Sequence, residues 1–236
     1  MNWHDLAELF PAFEDAARWL PLLERHAALL EAAAPHTRVT SVDPVDVVQR
    51  HYAESLEIWR LLLDRAGGGA GLVVDVGSGG GYPGMVAAAV SPETRFVLVE
   101  PLKKRARLLE QLASELGLAN VEVLALRAEE AGRGAFRDSA DIVTARAVAQ
   151  LAELLEYTAP LARAGGLVGL PKGSALEAEL ATSAKACHVL GCTFLETVAM
   201  RPEISATLSI ALFRKAGRTH AAYPRRPGMP HQKPLS

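Results

Sequence analysis

A chain of 236 residues, half of them apolar, can bury one large core, or one core with a small appended unit. With no run of about eighteen apolar residues and no basic-then-apolar start, neither a membrane span nor a secretory leader is expected, and the protein reads as cytoplasmic. A net charge of −2 argues against indiscriminate coating of nucleic acid, yet residues 1–64 carry −6 and residues 201–236 carry +6, which fits local contact with phosphates at the basic end.

From Trp3 to Ala34, apolar residues recur at three- and four-residue steps, which predicts helices with Pro11 and Pro21 at starts or breaks. Asp43-Pro44 suits an N-cap followed by proline at the first helical position, and opens a second helical segment reaching Asp64. Gly67-Gly68-Gly69-Ala70-Gly71 then marks a joint. Beyond it, β-rich runs at 72–76, 95–100, 121–126, 141–144, 167–170, 193–198 and 207–213 alternate with amphipathic segments at 84–90, 102–116, 151–161 and 175–188. This pattern predicts an α/β fold, a doubly wound and mostly parallel sheet of seven strands. The last two runs leave no room for a crossover helix, so the last strand is expected to be antiparallel. The expected organisation is a helical cap over 1–66, a core over 67–215 and a basic, proline-rich tail over 216–236. Cys187 and Cys192 match neither a disulfide framework nor a zinc ligand set and read as reduced thiols at a helix end and turn; no metal is expected.

The segment that carries most chemistry is Asp75-Val76-Gly77-Ser78-Gly79-Gly80-Gly81-Tyr82-Pro83-Gly84, directly after an apolar strand. Such a loop brings backbone N–H groups close to a ligand, and the following helix N-terminus adds a favourable dipole. Two registers are open. Gly79 to Gly84 satisfies the G-x-G-x-x-G pattern of dinucleotide sites, with Glu100 about where a ribose-binding acid belongs. Asp75 to Gly81 instead reads Asp-x-Gly-x-Gly-x-Gly, the motif of S-adenosylmethionine-dependent methyltransferases, in which the acid stands beside the loop to accept from a cationic amino group. Glu100 offers two acceptor oxygens to ribose hydroxyls in either case. It also suits the N-terminus of the next helix. Arg127-Ala128-Glu129-Glu130, after the third strand, offers a backbone N–H and a carboxylate to an adenine edge, or else simply an acidic helix start.

After the fourth strand the chain reads Asp141-Ile142-Val143-Thr144-Ala145-Arg146-Ala147-Val148. It lacks the Asn/Asp-Pro-Pro-aromatic sequence of adenine amino-methyltransferases and the Pro-Cys nucleophile of cytosine C5 chemistry. A ring nitrogen with an in-plane lone pair, such as guanine N7, needs neither. Catalysis then rests on proximity and orientation. Arg146 is the candidate clamp, on the cofactor carboxylate, on guanine O6 or on a phosphate; its alternative is an ion pair with Glu129 or another loop acid.

With these residues in view, the chain resembles the bacterial glucose-inhibited division protein B family, the small-subunit ribosomal RNA guanine-N7 methyltransferases. The resemblance runs from Arg38-Val39-Thr40 and Arg50-His51-Tyr52-Ala53-Glu54-Ser55-Leu56, through the glycine loop, Lys103-Lys104-Arg105, Arg146-Ala147 and Lys172-Gly173, to Tyr223-Pro224-Arg225-Arg226-Pro227-Gly228 and Lys233-Pro234-Leu235. It implies a class I methyltransferase-like fold with S-adenosylmethionine as cofactor. Asp75, Gly77, Gly79, Gly81 and Tyr82 would line it, Glu100, Pro101 and Leu102 meet its ribose, and Ala128 and Glu129 its adenine, with Arg146 closing the site. Arg38 stands where the family favours Asn, and Glu54 where it favours Asp. The partner implied is small-subunit (16S) ribosomal RNA or a ribosomal particle, contacted through Lys172, Arg225, Arg226 and Lys233 by a monomer. Two other readings are a nicotinamide-dependent oxidoreductase using Gly79 to Gly84, and a non-catalytic RNA-binding protein on the same fold.

Overall fold

The computed structural model describes residues 1–35, 37, 42–146 and 149–236; Arg38, Val39, Thr40, Ala147 and Val148 of the motifs above lie outside the described residues. Three cap helices, α1 (Trp3–Leu9), α2 (Ala16–Ala33) and α3 (Glu54–Arg65), precede β1 (Leu72–Val76), α4 (Gly84–Val90), β2 (Arg95–Val99), α5 (Lys103–Glu115), β3 (Val121–Leu124) and α6 (Ala128–Ala131). The chain continues through β4 (Ala140–Thr144), α7 (Leu151–Thr158), β5 (Ala162–Lys172), α8 (Leu176–Ala181), α9 (Ala184–Leu190), β6 (Cys192–Ala199), β7 (Ser209–Lys215) and α10 (Met229–Gln232). The strands form one sheet in the order β3-β2-β1-β4-β5-β7-β6. Strands β1 to β5 pair in parallel, and β7, slotted between β5 and β6, runs antiparallel to both.

The strands are apolar on both sides because each alternate residue enters a different core. Val73, Phe96, Leu98, Ile142 and Leu167 join the cap helices, α4 and α5. Val74, Val97, Val143, Val168 and Phe213 join α7, α9 and Leu235 from the tail. The cap shares the core of the sheet: Trp19, Leu56, Trp59 and Leu62 lie in the same cluster as β1 and β2. Glu57, fully buried, accepts from Arg60 and from Arg201, whose Nη1 donates to the Leu9 carbonyl at 3.0 Å. Burial pushes the Glu57 carboxyl up, but these two guanidinium groups hold it below its ordinary value.

Several local expectations are corrected. Pro21 lies inside α2 and does not break it. Asp43 does cap, its carboxylate accepting from Val45 N–H at 3.0 Å, but the turn over Pro44–Asp46 is a 3-10 turn and Val48–Ala53 winds as a π-helix before α3. The helix expected over 175–188 divides into α8 and α9, where the Thr182 and Ser183 hydroxyls donate back to the carbonyls of Glu179 and Leu180. Cys187 lies within α9 and Cys192 opens β6; both are free thiols.

The sheet order places functional groups together before any side chain is considered. Strand order reverses between β1 and β4, whose registers pair Asp75 with Thr144. The loops leaving both strands therefore meet at the carboxyl edge, where open α/β sheets bind ligands.

Candidate active site at the switch point

The loop after β1 is built by left-handed glycines. Gly77, Gly79 and Gly81 have φ of +74°, +56° and +92°, a region that side chains strongly disfavour. The Gly77 N–H donates to the Val99 carbonyl at 2.7 Å, closing the loop against the end of β2. Glu100, buried at 3% exposure, accepts from Gly79 N–H with one oxygen and from Leu102 N–H with the other, each at 3.0 Å. One carboxylate thus fixes two loops, with lone pairs left on both oxygens for a ligand.

Asp75 is fully buried under the loop. Its Oδ2 accepts from Gly84 N–H at 3.1 Å, and Oδ1 has no partner among the described residues. Burial raises its pKa from the ordinary 3.8 to about 6, against the Gly84 N–H and the nearby Ser78 hydroxyl, which itself donates to the Asp75 backbone carbonyl at 3.0 Å. Gly84 admits nothing larger, since a Cβ there would stand 2.8 Å from Asp75 Oδ2.

Beside Gly77, a cavity of ≈130 Å³ is lined by Val76, Val99, Pro101, Ala128, Glu129 and Tyr157. Gly77, Pro101, Ala128 and Glu129, expected together from the sequence, converge here. Glu130 instead reaches back to accept from Arg127 N–H at 2.9 Å, capping α6. Leu102 is half-exposed and is not among the residues lining this cavity.

Tyr82 turns toward the cap. Its ring stacks on His51 at 4.4 Å between centroids, and its hydroxyl donates to that of Tyr52 at 3.2 Å. Tyr52 in turn meets His26 Nδ1 at 2.8 Å, and His26 Nε2 faces the backbone at Gly80 and Gly81. Arg146 completes the cluster, with its guanidinium over the Tyr82 ring at 5.5 Å. It donates to the Arg50 carbonyl at 3.1 Å, approaches Glu54 at 3.5 Å and lies 3.2 Å from His51 Nδ1. A guanidinium only donates, so Nδ1 accepts and the imidazole proton sits on Nε2. Burial, reinforced by the Arg146 charge, lowers the His51 pKa to about 4, and burial does the same to His26. The acid paired with Arg146 is therefore Glu54 from the cap, not Glu129. On the cap side of this cluster a second cavity of ≈390 Å³ is lined by Trp3, Leu30, Glu31, Val47, His51 and Tyr82.

Two of the expected RNA contacts have their donors engaged within the chain. Lys172 donates to Glu179 and to the Ala149 carbonyl, both at 2.8 Å. Arg225 forms a two-pronged pair with fully buried Glu156, at 2.6 Å for the shortest contact. Arg226 and Lys233 are exposed. His26 and Glu156 carry no sequence signal of a role, because their partners lie far along the chain.

The family model described as GidB, rRNA small subunit methyltransferase G, matches residues 20–206. The chain belongs to this family. Among GidB relatives, Ribosomal RNA small subunit methyltransferase G of Carboxydothermus hydrogenoformans is 36% identical over 221 residues, 92% of each chain. That of Sorangium cellulosum is 41% identical over 192 residues, 80% of this chain and 76% of the relative. Solved structures agree on the fold. A SAM-dependent methyltransferase from Aquifex aeolicus aligns at TM-score 0.53 and 16% identity over 75% of this chain and all of that one. A putative RNA methyltransferase from Pyrococcus horikoshii aligns at TM-score 0.53 and 16% identity, over 82% and 99%. This GidB chain thus has the class I methyltransferase fold. Its antiparallel β7, inserted beside β5, departs from the 3-2-1-4-5-6 order of dinucleotide-binding sheets, and the family match favours methyl transfer over the oxidoreductase reading.

Proposed function

We propose that this protein methylates guanine N7 in small-subunit ribosomal RNA, with S-adenosylmethionine as methyl donor. The observation that carries the reading is the GidB match lying over a glycine loop whose first acid, Asp75, is buried beside it with one oxygen unpartnered. That orphaned oxygen suits a cationic amino group. The Glu100 carboxylate suits a ribose, and the cavity between Pro101, Ala128 and Glu129 suits an adenine. The bound cofactor supplies an electrophilic methyl group on sulfur. Guanine N7 has no proton to lose, so the chain need only orient the acceptor and exclude water. We place the acceptor base in the ≈390 Å³ cavity, where Trp3 and the stacked His51 and Tyr82 offer aromatic faces. Arg226 and Lys233 are the tail cations offered to phosphate; among the described residues no cluster of His, Cys, Asp or Glu is placed to hold a metal ion, and no helix is long and apolar enough to cross a membrane.

Mapping 7-methylguanosine in small-subunit ribosomal RNA from cells with and without the protein tests the reading. One modified position should vanish with the protein and return with its expression; an unchanged map would overturn the assignment.

A pH dependence follows from Asp75. Because its folded pKa is raised to about 6, it is half protonated near that pH, and a cationic amino group favours the ionised form. The dissociation constant of S-adenosylhomocysteine should fall about tenfold from pH 5 to pH 7 in wild type and stay nearly flat in Asp75→Asn. The same shift makes the ligand-free fold lose stability as pH rises from about 4 to about 6, since the folded chain there holds a proton that the unfolded chain releases. Calorimetric titration at pH 5 and pH 7 checks the first effect, and thermal unfolding between about pH 4 and about pH 6 the second.

A further inference from the structure

The tail over 216–236 is bound along the core. Arg137 donates to the carbonyls of Gly132, Thr219 and Tyr223 at 2.7–2.9 Å, which pins its first half. Pro224 and Pro230 are buried, and Leu235 sits in the core beside α7. Between these anchors Arg225 is held by Glu156 through its backbone N–H at 2.7 Å and its guanidinium at 2.6–3.1 Å, and it donates to the Lys233 carbonyl at 2.7 Å. Three residues further on, Gly228 takes a left-handed φ of +83° and its N–H donates to Glu129 Oε1 at 2.9 Å. His231 approaches Glu153 at 3.3 Å, and Glu153 accepts from the Tyr157 hydroxyl at 2.7 Å. Glu129 and Tyr157 are two walls of the ≈130 Å³ cavity.

We infer that residues 223–233 form a strap that sets the adenine end of the cofactor site, with Arg225 and Glu156 as positioning residues that hold the Gly228 amide on Glu129. The inference rests on the assignment of adenine to that cavity. A buried carboxylate reads an exocyclic amine best when its plane is fixed, and Gly228 N–H fixes that of Glu129 by occupying Oε1, leaving Oε2 to accept. Gly228 can do so only while residue 225 is held in place on α7. A guanidinium forked onto a carboxylate supplies that geometry, and an ammonium does not.

The test measures binding of S-adenosylhomocysteine and of its inosine counterpart, in which a carbonyl replaces the exocyclic amine. Full-length wild type, Arg225→Ala, Arg225→Lys, Glu129→Ala and, as a cap-side control, Arg201→Ala are compared well below their unfolding temperatures. Wild type should prefer the adenine form at least about tenfold, the value of one good hydrogen bond to a charged group. Arg225→Ala should weaken S-adenosylhomocysteine about tenfold and erase most of that preference; Arg225→Lys, which keeps the charge and folds more readily, should erase it partly; Arg201→Ala should keep it. Arg225 variants that lose thermal stability but keep the full preference would overturn the strap while Glu129→Ala still abolishes it. If Glu129→Ala keeps the preference as well, the adenine assignment and the strap inference fall together.

Discussion

Gly77→Val is expected to raise the dissociation constant of S-adenosylhomocysteine at least ~100-fold, about 3 kcal/mol of binding free energy, in a protein that remains folded. Gly77 has φ +74° and its N–H is bonded to Val99, so the residue cannot rotate into a conformation that valine prefers. Holding an L side chain there costs about 1–2 kcal/mol, more for a β-branched one. The strain falls on a loop, whereas the apolar residues of β1 and β2 that carry the sheet are untouched. The ligand suffers most, because Gly77 is itself a wall of the ≈130 Å³ cavity. Calorimetric titration with far-ultraviolet circular dichroism separates the two effects. A binding constant within threefold of wild type would show the loop to be only a turn.

Arg146→Ala should lower methyl transfer at least ~100-fold, the scale of a misplaced acceptor, and should also destabilise the fold. The guanidinium joins three elements: the Arg50 carbonyl and His51 of the π-turn, Glu54 at the start of α3, and the face of Tyr82 in the glycine loop. With side chains only 14% and 9% exposed, Arg146 and Glu54 form a buried pair, and removing one member costs about 3–5 kcal/mol. Burial already raises the Glu54 carboxyl, so protonation relieves part of that cost. The double variant Arg146→Ala with Glu54→Gln should therefore recover stability without recovering rate. Recovery of both, measured by thermal unfolding and by transfer of labelled methyl to ribosomal RNA, would reduce Arg146 to a structural ion pair.

The sheet was legible because its signals are local. Strands buried on both faces read as apolar runs, and the short gap before β7 leaves space for nothing but an antiparallel return. β5 starts five residues earlier than its apolar run because Arg163 pairs with Asp141 at 2.6 Å and Ala162 pairs with Ala140, contacts that override the breaking signal of Gly165-Gly166. The π-turn that aims His51 and Tyr52 inward left no signature of its own. Its partners, His26, Tyr82 and Arg146, come from three other segments. The pairing of Arg225 was hidden for a similar reason. Arg225 and Glu156 stand 69 positions apart, and nothing local tells a cation seated on a buried acid from one offered to phosphate.

Arg225 and Arg226 are adjacent, one facing the core and the other facing solvent. If the proposed strap grips the nucleoside end of the donor on one side and Arg226 meets the acceptor's backbone on the other, the two occupancies form a linked equilibrium. Whatever factor ribosomal RNA adds to donor affinity through this segment, the donor must return to RNA affinity. If that factor exceeds one, S-adenosylhomocysteine exchanges for fresh donor most easily after the RNA has left; if it is below one, exchange is easiest while the RNA is still bound.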